Sequence, residues 1–149
     1  MGDIVAVAAA VQRLQRLRNS KRIHAVLTDA AGVVLTQQSL RLLIAVTDGE
    51  TATELASSSN MDGAAVSREL RRLEEAGLVA REPSPHHHAG VVVRLTVEGR
   101  MARDRVVAVR HHHLARTFSG WSQTDTAALA DLLGRFVDDL QANPLVPGE

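Results

Sequence analysis

Cysteine is absent from all 149 residues, which excludes disulfides, thiolate metal sites and thiol redox sensing. Tyrosine is absent too, and two phenylalanines and one tryptophan are the whole aromatic complement. A core made from this chain must be Leu, Val and Ala, which favours packed helices over an aromatic-rich sheet. No apolar run approaches the roughly 20 residues that a membrane span needs. The apolar N-terminal patch has no basic residues ahead of it, so no signal peptide and a cytoplasmic location are expected. A nucleophile–base arrangement, a glycine-rich phosphate loop and a paired-carboxylate motif are all missing. Neither an enzyme nor a cofactor is expected.

Net charge is zero, from 17 basic and 17 acidic residues, which argues against an indiscriminate polycation. The distribution says more. Nine arginines lie from Arg68 to Arg110, whereas from Gly120 onward one arginine stands against five acidic residues. Basic charge is concentrated mid-chain, where a nucleic-acid footprint would want it, although Glu69, Glu74, Glu75 and Glu82 dilute it. Arg13, Arg16, Arg18, Lys21 and Arg22 form a second band, read as a solvated helical face.

The chain is organised around Thr51–Gly77, TATELASSSNMDGAAVSRELRRLEEAG. Thr51 followed by Glu54 is a capping box that opens a short helix anchored by Leu55. That helix runs out in Ser57-Ser58-Ser59-Asn60, whose side chains compete for backbone bonds. Asp62 is a good N-cap for a second helix, and Gly77 marks its left-handed stop. Val66, Leu70 and Leu73 make its apolar stripe. At about 100° per residue, Ala64, Arg68 and Arg71 point away from that stripe, flanked by Ser67 and Arg72. A helix with a small-residue tip and arginines behind it suits a DNA major groove.

Before this pair, the apolar spacing predicts one long helix from residue 3 to about 28, then a break at Asp29-Ala30-Ala31-Gly32 and a helix starting at Thr36. After it the period changes. Leu78–Glu82 reads as a strand and Val91–Leu95 as its β-branched partner, joined by PSPHHHAG. Three helices and a hairpin are the layout of a winged helix-turn-helix. Thr96 opens a long helix to about Phe118, and Ser122 with Asp125 opens a last one to about Gln141. The expected fold is therefore mainly α with a small β-hairpin wing, in one domain spanning residues 1–149. Residues 36–96 form the DNA-binding lobe. The helices of 1–31 and 97–149 are too apolar to stand alone, so they are expected to pair with a second copy in a two-fold homodimer.

Three pieces in this order, ELASSSNMDGAAVSRELRRLEEAGLVARE, VVVRLTVEGR and WSQTDTAALADLLGRFVDDL, resemble the MarR family of bacterial transcription factors (multiple-antibiotic-resistance-type regulators). The resemblance covers essentially the whole chain. It implies a winged-helix dimer with intertwined first, fifth and sixth helices and ligand pockets near the junction with the DNA-binding lobes. It also implies a ligand-responsive repressor that leaves a pseudo-palindromic operator when a small phenolic or other anionic effector binds, and that is nucleoid-associated when bound to DNA. Carried over by position, Ala64, Ala65, Ser67, Arg68 and Arg71 face the groove, and Thr51, Thr53 and Ser58 are phosphate-contact candidates. Arg72 joins them as a flanking cation. The wing departs from the family pattern, because the usual Asp-x-Arg falls on His87, His88 and Ala89. With His86, His87 and His88 as the wing contacts, a lower or pH-sensitive DNA affinity is expected.

Six of the seven histidines fall in two triplets, His86–His88 and His111–His113. Some members of the family are zinc-responsive, so a metal-responsive repressor is one alternative. Helical ligand pairs need i, i+3 or i+4 spacing, however, and consecutive residues diverge by about 100°. No metal site is assigned, and His24, His111 and His112 remain candidates for the neighbourhood of an otherwise unknown effector site. The other alternative is a winged-helix protein-interaction module without DNA binding, which the missing wing arginine favours and the basic recognition face opposes.

Overall fold

Where the apolar spacing predicts one helix over residues 3 to about 28, two are found. The structure is a computed structural model that describes residues 2–86 and 90–144. In it α1 (Gly2–Arg18) and α2 (Lys21–Ala31) are separated at Asn19-Ser20, with Ser20 extended at φ −64° and ψ 129°. Asn and Ser offer the backbone competing local bonds, and an apolar stripe that continues on both sides hides the break. Gly32 then stops α2 in the left-handed region at φ 75°. Thr36 caps α3 (Gln37–Ala45), its Oγ1 accepting from Ser39 N at 3.0 Å.

Next come β1 (Glu50–Thr51), α4 (Ala52–Ser59), α5 (Gly63–Glu75), β2 (Val79–Pro83), β3 (Val91–Leu95), α6 (Val97–Thr117) and α7 (Gln123–Ala142). The hairpin is where the sequence puts it, with β2 one residue later than expected. The third strand is an addition. β1 pairs antiparallel with β3 through Glu50 opposite Val93 and Thr51 opposite Val92, giving the order β1-β3-β2. A two-residue strand carries no alternation that a sequence pattern could register. Asp48 helps fix it, because its Oδ1 accepts from Leu95 N at 2.9 Å.

The chain divides into two units, Met1–Arg110 and His111–Glu149. The core of the first is aliphatic, as composition requires: Leu27, Leu42, Leu43, Val46, Leu55, Val66, Leu70, Leu73, Val93, Leu95 and Val106 are among its buried members. Each such side chain contributes about 1.5–3 kcal/mol on leaving water. The start of α6 joins this core through Ala102 and Val106. Its entry is tight: Thr96 Oγ1 donates to Gly77 O at 2.6 Å and accepts from Gly99 N at 2.9 Å. A Cβ at Gly99 would stand 1.8 Å from the Leu78 carbonyl oxygen. Arg105 closes the end of α2 by donating to Ala30 O and Ala31 O, and Arg103 donates to Val46 O behind α3.

α1, by contrast, buries nothing. Ile4 and Leu17 are 75% and 62% exposed, and Val7 and Leu14 are exposed as well. In the second unit Ser122 caps α7 by accepting from Asp125 N, and Phe118 meets Trp121 edge-on with centroids 5.1 Å apart. α7 also buries no residue, leaving Leu132, Leu133, Val137 and Leu140 exposed.

Candidate nucleic-acid interface

The turn into α5 is built residue by residue. Asn60 ends α4 in the left-handed conformation at φ 53°, one that Asn tolerates better than most side chains. Two residues later Asp62 caps α5, its Oδ1 accepting from Ala65 N at 2.8 Å. The capping box of α4 is present as well, with Thr51 N donating to Glu54 Oε2 at 2.8 Å and Glu54 N donating to Thr51 Oγ1 at 3.2 Å. α5 ends in a Schellman motif. Gly77 N donates to Glu74 O and Leu78 N to Leu73 O, with Gly77 at φ 71°.

Between these ends Val66, Leu70 and Leu73 are fully buried, so the orientation of α5 is fixed. Ala64, Ser67, Arg68 and Arg71 consequently lie on its exposed side, and Ala65 is half-buried toward α3. Arg72 is different from the other two arginines. Its Nη1 donates to Glu69 Oε1 at 2.7 Å, so it is a pinned cation and not a free one. Glu69 itself is 4% exposed, and its Oε2 accepts from Ser39 Oγ at 2.6 Å and Thr36 Oγ1 at 3.2 Å. Burial alone would raise this carboxyl. The hydrogen bonds from Ser39, Arg72 and Thr36, together with the Arg72 charge, outweigh burial and hold it below its ordinary value.

Sequence reasoning missed this network. The available signal was angular: at about 100° per residue, Glu69 lies only about 60° from Val66 and so cannot face fully outward.

In α4, Thr53 and Ser58 are exposed, whereas the Thr51 hydroxyl is already engaged with Glu54. Ser58 Oγ donates to Leu55 O at 3.3 Å and keeps its lone pairs for an incoming donor. In the wing, Arg94 pairs with Glu82 at 2.8 Å and Arg81 with Glu74 at 3.1 Å, so both of its arginines are engaged by carboxylates. His86 is exposed, while His87 and His88 lie outside the described residues.

The effector-site candidates fall in different units. His24 is half-buried with Nε2 2.9 Å from Leu35 O, and His111 and His112 are exposed in the second unit. Among the described residues no group of three or more His, Asp or Glu side chains is placed to hold a metal ion. Among the same residues no helix is long and apolar enough to cross a membrane.

A capped helix with its arginines turned outward, a preceding helix set by a tight turn, and a hairpin behind them define a winged helix-turn-helix DNA-binding protein. Residues 35–90 match the family model described as the MarR family. The matched lobe, residues 35–90, is a MarR-family segment, and the chain as a whole is similar to MarR-family transcription regulators. It is 26% identical over 128 residues to the uncharacterized HTH-type transcriptional regulator YdgJ of Bacillus subtilis, covering 85% of this chain and 78% of that one. A crystal structure of the MarR family transcription regulator SP03579 matches with TM-score 0.70 at 26% identity, over 96% of this chain and 97% of the other. The fold is shared, at 15% identity and TM-score 0.67, with Streptococcus pneumoniae FabT in complex with DNA, over 96% of each chain.

Proposed function

We propose that the protein is a homodimeric, ligand-responsive repressor that acts by occupying a pseudo-palindromic operator. The observation that carries this reading is the division of α5 into a fully buried stripe, Val66, Leu70 and Leu73, and an exposed side bearing Arg68 and Arg71. An arginine so held reaches a guanine edge in the major groove, and the small Ala64 and Ala65 let the helix tip approach thymine methyls. Thr53, Ser58 and the wing histidines serve as backbone contacts that set the register, and Arg72, held by Glu69, flanks them with the exposed part of its guanidinium. That FabT was crystallised with DNA supports the same use of this fold.

Dimerisation through α1, α6 and α7 would cover the exposed apolar side chains of α1 and α7 and place two copies of α5 about one helical turn apart. In the first unit, arginines supply the electrostatic attraction for an anionic effector. An open cleft there is lined by Arg13, Arg16, Leu17 and Ser20. Close by, the Arg110 guanidinium is pushed below its ordinary value by partial burial and then by the charge of Arg18. An effector acts only to the extent that it binds the DNA-incompetent state more tightly.

The test is a gel shift on the DNA upstream of the protein's own gene. Wild type is expected to bind and Arg68→Ala to lose about 1–3 kcal/mol of affinity while remaining a folded dimer. Equal binding by the variant would overturn the assignment.

A further inference from the structure

Beside the recognition helix lies a notch of about 330 Å³ bordered by Gln38 and Arg41 of α3, by Asn60 and Asp62 of the turn, and by Ala65 and Arg68 of α5. Its two arginines are exposed, and neither forms an ion pair with a described carboxylate. Arg41 Nη1 has only a long contact of 3.5 Å to Gln38 Oε1.

The two acids at the notch are already occupied. Asp62 caps α5, where the helix dipole offsets its charge, and Glu69 on the floor is neutralised by Arg72 and hydrogen-bonded by Ser39 and Thr36. What remains at the rim is two guanidiniums with no ion-pair partner among the described residues, beside a Gln and an Asn amide, a set of donors suited to a tetrahedral anion. The notch adjoins Arg68, the side chain assigned to a base edge, so the anion that reaches it is a phosphate of the same duplex.

From this we infer that Arg41, on the helix before the helix-turn-helix pair, is a further DNA-contacting residue that clamps a backbone phosphodiester next to the base read by Arg68. The inference rests on the DNA-binding reading of α5. It assigns Arg41 a positioning role on the duplex: affinity without sequence preference.

The experiment selects bound duplexes from a random-sequence library with wild type and with Arg41→Ala, then measures affinity by anisotropy across a salt series. One lost phosphate contact lowers the log–log salt slope by about 0.9 and affinity about eightfold at 0.1 M salt. Arg41→Ala should show that loss on every selected sequence, keep the wild-type consensus, and unfold at the wild-type temperature because the side chain is exposed. Arg41→Lys should restore most of the slope, since a point charge suffices for a phosphate. Unchanged affinity and slope in Arg41→Ala would overturn the inference, and so would a changed consensus at one base pair, which would make Arg41 a base reader. If wild type binds no duplex at all, the DNA-binding reading fails first and this inference falls with it.

Discussion

Glu69 shows how much depends on a single side chain. It is a nearly buried carboxylate with three donors, and it joins α3 to α5 while holding Arg72. Because its folded-state value lies below its unfolded one, the unfolded chain binds the proton more tightly. The stability Glu69 contributes is complete above the ordinary carboxylate range and is lost as pH falls through the depressed value. Urea unfolding should therefore show a loss of stability on acidification that is smaller in Glu69→Gln. At neutral pH the variant itself should be less stable by about 1–3 kcal/mol, because an amide N–H₂ then confronts Arg72. An identical pH profile in both proteins would count against the network. Gly99 is the other residue with no room to change. Gly99→Ala should cost about 3 kcal/mol in a thermal or urea midpoint, since the new methyl collides with the Leu78 carbonyl. The outward arginines were legible in the sequence because helical periodicity fixes direction. The pairing of Arg72 with Glu69, the engaged wing arginines and the Arg41 notch were not, because each depends on which helix or strand lies alongside.

Elements with strong local signals are the ones the sequence specifies. The capping box at Thr51, the Asp62 cap, the Gly77 stop and the span of β3 all follow from short-range chemistry that needs no tertiary information. What local chemistry leaves open is where two helices share one apolar stripe, as at Asn19-Ser20, and where a strand exists only because a neighbour pairs with it, as at β1. Capping predicts its own test. Asp62→Ala should lower stability by about 1 kcal/mol and loosen the first turn of α5, seen as faster amide exchange at Ala65. Unchanged exchange at Ala65 would mean that packing alone holds that turn.

The whole molecule raises a question of covering. The first unit has its own aliphatic core, yet α1 and α7 bury no side chain and present Ile4, Leu14, Leu17, Leu132, Leu133 and Leu140 to solvent. A second copy is the occupant proposed for those faces. Leu132→Asp combined with Leu140→Asp should shift the protein from dimer toward monomer in light scattering while the helical signal of the first unit persists. A dimer unaffected by both charges would place the interface elsewhere. In the proposed complex two outward faces of α5, held by one dimer, enter successive major grooves. A hydroxyl-radical footprint on a selected operator reads this arrangement out. Two protected windows related by a two-fold axis, with centres about one helical turn apart and lost in Arg68→Ala, are the predicted result. A single window, or protection that survives Arg68→Ala unchanged, would contradict it.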